Sequence, residues 1–180
     1  IKKTNNKIVY TNSFIKGKSL KILSKKKLPE GRISKQIINH NPIIFSSIFF
    51  DIDIFFKYNY RFKNYEIIED LDLFFRLSQN FNFSVVQDPM VIYRDHQNMI
   101  SKKKFELHIK ELETWAEENK NILDYKDLSK LKSNIYYNKS SINLKNNNFD
   151  NFLENLKFVK GYNLIIRLLL KFIIQKLKKK

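Results

Sequence analysis

The chain has 180 residues, of which 43% are hydrophobic and 14% aromatic, and its formal net charge is +16 at pH 7. This apolar content is enough to build a core, which excludes wholesale disorder, and the length fits one domain or one domain with an appendage. The absence of cysteine excludes disulfides and thiolate metal sites. Two explanations of the positive charge stay open, a polyanionic partner and a lysine-rich composition, and we favour the composition.

Short strands and helices alternate in the first part of the sequence. Apolar and β-branched runs predict strands, and apolar residues at helical spacing predict helices. The predicted elements are strands at 7–14 and 19–23, a helix at 32–39, a buried strand at 43–50 and a helix at 51–56. The three glycines of the chain are too far apart to form a glycine-rich phosphate loop.

The most informative stretch covers residues 60–101. A helix is predicted to begin at Glu69 and Asp70, because acidic side chains are favourable in the first turn of a helix. Asp72 and Arg76 are four residues apart on it, so we expect them to pair along its surface.

Two short strands are predicted after this helix, at residues 82–86 and 90–93. The dipeptide Asp88-Pro89 between them is a turn signal. Arg94 and His96 then follow the second strand directly.

The segments EDLDLFFR and DPMVIYRDHQNMIS together resemble the second half of a family 2 glycosyltransferase of the GT-A fold. The resemblance covers roughly residues 7–101, and it is specific because many matches occur in order at the right separations. The matching residues are Glu69, Asp70, Asp72, Leu73, Arg76, Pro89, Tyr93, Arg94, His96, Asn98 and Ser101.

The resemblance implies an α/β fold, the C-terminal half of a GT-A (Rossmann-like) domain. It also implies an inverting transfer of sugar from a nucleotide-sugar donor to a glycan or lipid-linked acceptor, typical of surface polysaccharide biosynthesis in the cytoplasm. In that reaction Asp70 is the base that deprotonates the acceptor hydroxyl, and Glu69 adds negative potential beside it. The alternative is that both acids only complement the helix dipole, which spacing alone favours and the extended motif disfavours.

Further site residues come from the same resemblance. His96 is implied to complete the shell of a divalent cation, Mg²⁺ or Mn²⁺, with an ordinary loop histidine as the alternative. Arg94 is a candidate phosphate donor. Ser46 and Ser47 are candidates for lining the acceptor pocket, although buried serines more often bond to local backbone groups.

The donor half of the family pattern is absent from this sequence. The family's Asp-x-Asp metal motif lies upstream of a stretch like KIVYTNSF, and Asp51-Ile52-Asp53 comes too late in the chain, so we interpret it as a coincidence. The chain also opens on Ile1, so we expect a fragment that is inactive alone. The alternative function is a non-catalytic module derived from such an enzyme, which binds a membrane or a polyanion.

Helical periodicity replaces the strand signals from Lys102, so we predict two domains, 1–101 and an all-helical appendage at 102–180. Four helices are expected there, marked by apolar residues from 105, 128, 149 and 164 onwards. Since the aromatic residues follow core periodicity and do not interleave with basic ones, nucleic acid is not an expected partner.

The last helix, within 162–180, carries a polar stripe on a mostly apolar surface. The stripe consists of Arg167, Lys171, Gln175 and Lys178. The segment is too interrupted to cross a bilayer, which takes about 20 apolar residues. Either it packs on the preceding helix, or it lies on an anionic membrane at the inner face of the cell with its lysines toward the headgroups; we favour the membrane.

Overall fold

The structure of the chain, a computed structural model, describes residues 6–17 and 19–177. The chain divides into two compact units, Ile1–Lys104 and Phe105–Lys180. The sequence had placed this division between residues 101 and 102, close to where it is found.

The first unit combines a small sheet with short helices. Its strands are β1 (Ile8–Lys16), β2 (Leu20–Ile22), β3 (Ile48–Phe50) and β4 (Phe83–Arg94). Its helices are α1 (Ser34–His40), α2 (Asp53–Phe56), α3 (Glu69–Asn80) and α4 (Ile100–Lys103), with a 3₁₀ turn at Phe45–Ser47. The predicted α/β class is confirmed at this level, and the GT-A assignment stays a prediction.

Strand β1 is the centre of the sheet. β4 runs parallel to it along its whole length, on one edge. The other edge is shared by two antiparallel partners, β3 beside residues 8–10 and β2 beside residues 14–16. The residues of β1 from Ile8 to Ser13 are all buried, so both faces of this part of the strand are covered.

Strand β4 differs from the prediction of two strands separated by a turn. It is one strand of 12 residues, and its register against β1 shifts around Asn12, which pairs with Pro89. Proline lacks an N–H group, so the ladder accommodates it as an irregularity rather than as a chain reversal. The turn predicted at Asp88-Pro89 was therefore wrong.

The strand predicted at 43–50 is formed only over Ile48–Phe50. Ahead of it, the hydroxyl and the backbone N–H of Ser47 both donate to the carbonyl of Ile44 at 2.7 Å. These local bonds hold a 3₁₀ turn where continuous apolar character had predicted extended backbone.

Helix α3 supplies much of the core of the first unit. Leu73, Phe74 and Leu77 are fully buried. The ring of Phe74 stacks on Phe45 at 6.2 Å and packs against Phe50 at 6.3 Å. These contacts tie the 3₁₀ turn and β3 to the middle of α3.

The second unit is all-helical, as predicted. Its helices are α5 (Phe105–Glu118), α6 (Tyr125–Lys145), α7 (Phe149–Leu156) and α8 (Tyr162–Leu177). Side-chain caps open two of them: Asp124 accepts from the N–H of Asp127 at 2.8 Å, and Asn148 accepts from the N–H of Asn151 at 3.2 Å. Gly161 supplies the positive φ of 104° that directs the chain into α8.

The core of α6, α7 and α8 contains Leu144, Phe152 and Leu168, all nearly or fully buried, together with Val159 from the α7–α8 connection. Phe172 closes it with its ring stacked on Phe152 at 5.4 Å. Within the described part of the chain, no helix combines the length and the apolar character needed to cross a membrane.

Candidate functional site

The candidate catalytic acids Glu69 and Asp70 are the first two residues of α3. Ile68, which precedes them, provides no side-chain cap, so the N–H groups of the first turn are open to other acceptors. Oδ1 of Asp70 accepts a hydrogen bond from the N–H of Leu71 at 2.7 Å. The helix-start role considered for Asp70 is therefore present, and it occupies one oxygen of the carboxylate.

The environment of Asp70 makes its carboxylate a stronger base than an ordinary aspartate. Burial raises the pKa of Asp70, the N–H of Leu71 opposes this rise, and the negative charge of Glu69 adds to it. Among the described residues, no lysine or arginine pairs with Asp70 to stabilise its ionised form. A carboxylate with a raised pKa takes up a proton more readily, which is the property that a general base requires.

Tyr93, next to the carboxyl end of β4, is within electrostatic range of this carboxylate. Burial raises the pKa of the Tyr93 phenol, Asp95 raises it further, Lys102 lowers it, and Asp70 adds a final, smaller rise. We call Glu69, Asp70 and Tyr93 the Asp70 site.

Asp72, the third acid of the first turn, has a different environment. Its side chain is fully buried and pairs with Nε of Arg76 at 2.7 Å and with Nζ of Lys63 at 3.5 Å. Arg76 also donates to the carbonyl of Arg61 at 2.7 Å. The predicted pairing of Asp72 with Arg76 is confirmed, but it lies in the interior and not along the surface, because α3 is packed on most of its circumference.

The other two predicted site residues near the end of β4, Arg94 and His96, are exposed. Arg94 ends the strand beside Lys16, and since neighbouring residues of a strand point to opposite faces, Arg94 is directed away from the face that carries Tyr93. His96 lies in the turn that follows, also exposed. Tyr93 and Arg94 thus lie on opposite faces of β4, and the roles of Arg94 and His96 stay predictions.

The cation that the resemblance implies, Mg²⁺ or Mn²⁺, does not find a complete set of ligands here. In the part of the chain that the structure describes, no three His, Asp or Glu side chains lie close enough to hold a metal ion together. His96 alone is not a binding site, because such cations take six or more ligands. The described residues therefore contain no complete cation site, and the binding of Mg²⁺ or Mn²⁺ through His96 stays a prediction.

The two serines considered for the acceptor pocket have different environments. Ser47 is fully buried and its hydroxyl is committed to the carbonyl of Ile44, which matches the structural alternative. Ser46 is exposed in the same 3₁₀ turn. That turn packs through Phe45 onto Phe74, one helical turn after Asp70, so Ser46 belongs to a segment on the same part of α3 as the Asp70 site.

The Asp51-Ile52-Asp53 sequence has the environment of a structural motif. Asp51 pairs with Lys7 at 3.1 Å, and Asp53 pairs with Lys57 at 2.8 Å. The N–H of Asp53 and the ammonium of Lys7 keep the pKa of Asp51 below its usual range. Both carboxylates already have cationic partners, in keeping with the interpretation of this motif as a coincidence.

No role was predicted for Tyr93, although it belongs to the matching motif. Its O–H donates to Sδ of Met99 at 3.7 Å, which links the end of β4 to the start of α4. Strand alternation from Val85 onwards would have placed Tyr93 on the covered face of β4 and Arg94 on the exposed one. The sequence could not show that Tyr93 lies within electrostatic range of Asp70.

Comparison with protein-family models, with curated proteins and with solved structures finds no match to this chain. The basis for a function is therefore the geometry of the Asp70 site and the motif that surrounds it.

Proposed function

We propose that this chain carries the acceptor and base region of an inverting glycosyltransferase. The enzyme moves a sugar from a nucleotide-sugar donor to a hydroxyl group of a glycan or lipid-linked acceptor, in surface polysaccharide biosynthesis on the cytoplasmic side of the cell. The observation that carries the proposal is the position of Asp70, a half-buried carboxylate in the first turn of α3 that accepts a bond from the N–H of Leu71 and whose pKa is raised by burial.

The contrast between Asp70 and Asp72 supports this assignment. Both belong to the first turn of α3, but Asp72 is neutralised by Arg76 and Lys63, whereas Asp70 is kept among groups that disfavour its charge. A purely structural acid is expected to resemble Asp72, because an ion pair offsets the cost of desolvation. A perturbed carboxylate beside a second titratable group is more typical of a catalytic site.

The reaction assigned to the site is a direct displacement. As the acceptor oxygen bonds to the anomeric carbon, its proton passes to a carboxylate oxygen of Asp70. The bond from the anomeric carbon to the diphosphate breaks with its electron pair, and the nucleoside diphosphate leaves with inversion of configuration. The O–H of Tyr93 donates to Met99, and the phenol oxygen can also accept a hydrogen bond from the acceptor.

The donor side of the reaction is expected mostly outside these residues, so the 180-residue chain should not turn over nucleotide sugars by itself. The test therefore uses a polypeptide that joins this chain to a donor-binding half. Single-turnover transfer from a panel of radiolabelled nucleotide sugars gives the rate of the chemical step. Asp70→Asn should lower that rate by roughly two to four orders of magnitude, the usual contribution of a general base, and leave donor binding nearly unchanged.

Asp88→Asn is the matched control, because Asp88 is an exposed aspartate on β4 and receives the same chemical change. It should transfer sugar at the parent rate. A loss of tenfold or less in Asp70→Asn would remove Asp70 from the role of base. Transfer activity in the isolated 180-residue chain would contradict the placement of the donor site.

A further inference from the structure

Helix α8 is held in the helical unit by one side only. Leu168 is fully buried in the core with Leu144 and Phe152, and Leu164 and Phe172 pack beside it. These contacts fix the rotation of the helix about its axis, and so they decide which residues point outward.

Two side chains of the polar stripe predicted on α8 bond to α6. Nε2 of Gln175 donates to the carbonyl of Leu144 at 2.6 Å. Nζ of Lys171, an exposed residue, lies 3.4 Å from the hydroxyls of Tyr137 and Ser141. The contact of this stripe with lipid headgroups stays a prediction, and Lys178 lies outside the described residues.

The side of α8 opposite the buried Leu168 is apolar. The exposed residues keep between 40% and 66% of their surface accessible. They are spaced by three, one, three, one and three positions, which places them on one side of the helix over more than three turns. We call this set the outer arc; it consists of Ile166, Leu169, Leu170, Ile173, Ile174 and Leu177.

Cationic side chains border the outer arc on both sides. Arg167 is seven residues from Ile174 and Lys176 is seven from Leu169, so each stands nearly in line with one margin of the arc. Nζ of Lys176 is held there over the ring of Phe149 at 3.9 Å. The segment Tyr162–Leu177 contains no acidic residue, and the sequence continues with three lysines at 178–180.

We propose that the outer arc docks on the surface of an anionic lipid bilayer. Six large apolar side chains bordered by basic ones match the boundary between acyl chains and acidic headgroups, where an interfacial helix lies. A second copy of this chain fits less well, because pairing two outer arcs brings Arg167 and Lys176 of each copy toward cations of the other. This inference does not depend on the proposed transferase function.

The proposal is tested by flotation of the complete 180-residue protein with lipid vesicles. One set is pure phosphatidylcholine and the other contains phosphatidylglycerol as well. The intact protein should float with the anionic vesicles. Leu170→Ser combined with Ile173→Ser should lower the partition coefficient about tenfold or more, since two half-exposed apolar side chains are removed from the contact.

Arg167→Gln combined with Lys176→Gln tests the charged border. Each basic residue near an anionic surface contributes enough to change binding about fivefold, so this variant should lose roughly 25-fold on anionic vesicles and little on neutral ones. These substitutions are on exposed side chains, whereas removal of the whole helix would take Leu168 out of the core. Circular dichroism checks that each variant is folded.

The matched control carries Ile122→Ser and Leu153→Ser, two exposed apolar residues of the same unit that lie outside α8. It should bind vesicles like the intact protein. Equal flotation of the outer-arc variant and the intact chain, or no flotation of either, would overturn the proposal. A dimer in solution that the outer-arc variant abolishes would overturn it in favour of self-association.

Discussion

The buried carboxylate of Asp72 gives the sharpest test of how the first turn of α3 is held. We compare Arg76→Met, which removes the closer cation and keeps an unbranched side chain of similar length, with Asp72→Asn, which removes the anion. Both variants break the same ion pair of 2.7 Å. Arg76→Met leaves the carboxylate without this partner, whereas Asp72→Asn leaves the guanidinium without it. The structure predicts that this difference decides how much stability each variant loses.

The size of each destabilisation follows from the exposed fraction of the side chain that keeps its charge. Asp72 has a side-chain exposure of 0%, so Arg76→Met leaves a fully buried carboxylate with Lys63 at 3.5 Å. Breaking a buried pair this way costs about 3–5 kcal/mol, and Lys63, which is 44% exposed, offsets up to about 1 kcal/mol of that. Asp72→Asn leaves Arg76 still bonded to the carbonyl of Arg61 and 24% exposed, so its cost is about 1 kcal/mol.

Hydrogen exchange read by mass spectrometry measures the effect locally. The free energy of opening for amides in α3 should fall by roughly 2 kcal/mol more in Arg76→Met than in Asp72→Asn. Amides of α6, in the other compact unit, provide the internal reference. If Asp72→Asn costs as much as Arg76→Met, the burial of the carboxylate is not what matters, and the reasoning fails.

Two further predictions concern Asp70 and the serines of α6. Since the pKa of Asp70 is higher in the folded than in the unfolded chain, its ionised form costs stability at neutral pH, and the cost disappears as the pH falls below the ordinary value of 3.8. Asp70→Asn should therefore raise the free energy of unfolding by urea at neutral pH and change it little in acid; an unchanged neutral value would contradict the raised pKa. Ser140 is buried and its Oγ has no hydrogen-bond partner within the described residues, so Ser140→Ala should stabilise the helical unit by about 1 kcal/mol. Ser133→Ala, which removes bonds to the N–H and carbonyl of Lys160, should destabilise it by about 1–2 kcal/mol, and the same sign for both variants would refute the argument.

Local signals in the sequence predicted most of the elements. The four helices of the second unit were predicted from apolar spacing, and two of them begin at side-chain caps, Asp124 and Asn148. The error at Pro89 came where a tertiary contact outweighs a local preference. The local sequence Asp88-Pro89 predicts a turn, but the pairing of β4 with β1 on both sides of Pro89 keeps the strand extended.

The candidate site was predictable in part. The motif predicted Asp70 as the base, which stays a prediction, and the position of Asp70 at the start of α3 is as expected. The electrostatic influence of Asp70 on Tyr93 was not predictable, because it depends on where the pairing of β4 with β1 places the end of β4. The outward face of α8 was not predictable either: the stripe and the outer arc are both visible in the sequence, but only the contacts of Leu168 and Gln175 show which of them faces the bundle.

The Asp70 site and the outer arc share a physical property. In each case a residue differs from a neighbour on the same helix. Asp72 is neutralised by an ion pair whereas Asp70 is not, and Leu168 is buried whereas Leu170 is exposed. Neither feature stabilises the isolated fold, since one is a disfavoured charge and the other leaves apolar surface in water. Features that lower stability are expected where a chain meets a substrate or a partner. The two sets of variants therefore have a common expected signature, in which Asp70→Asn and the polar outer-arc variant lose function or binding while they keep or gain stability.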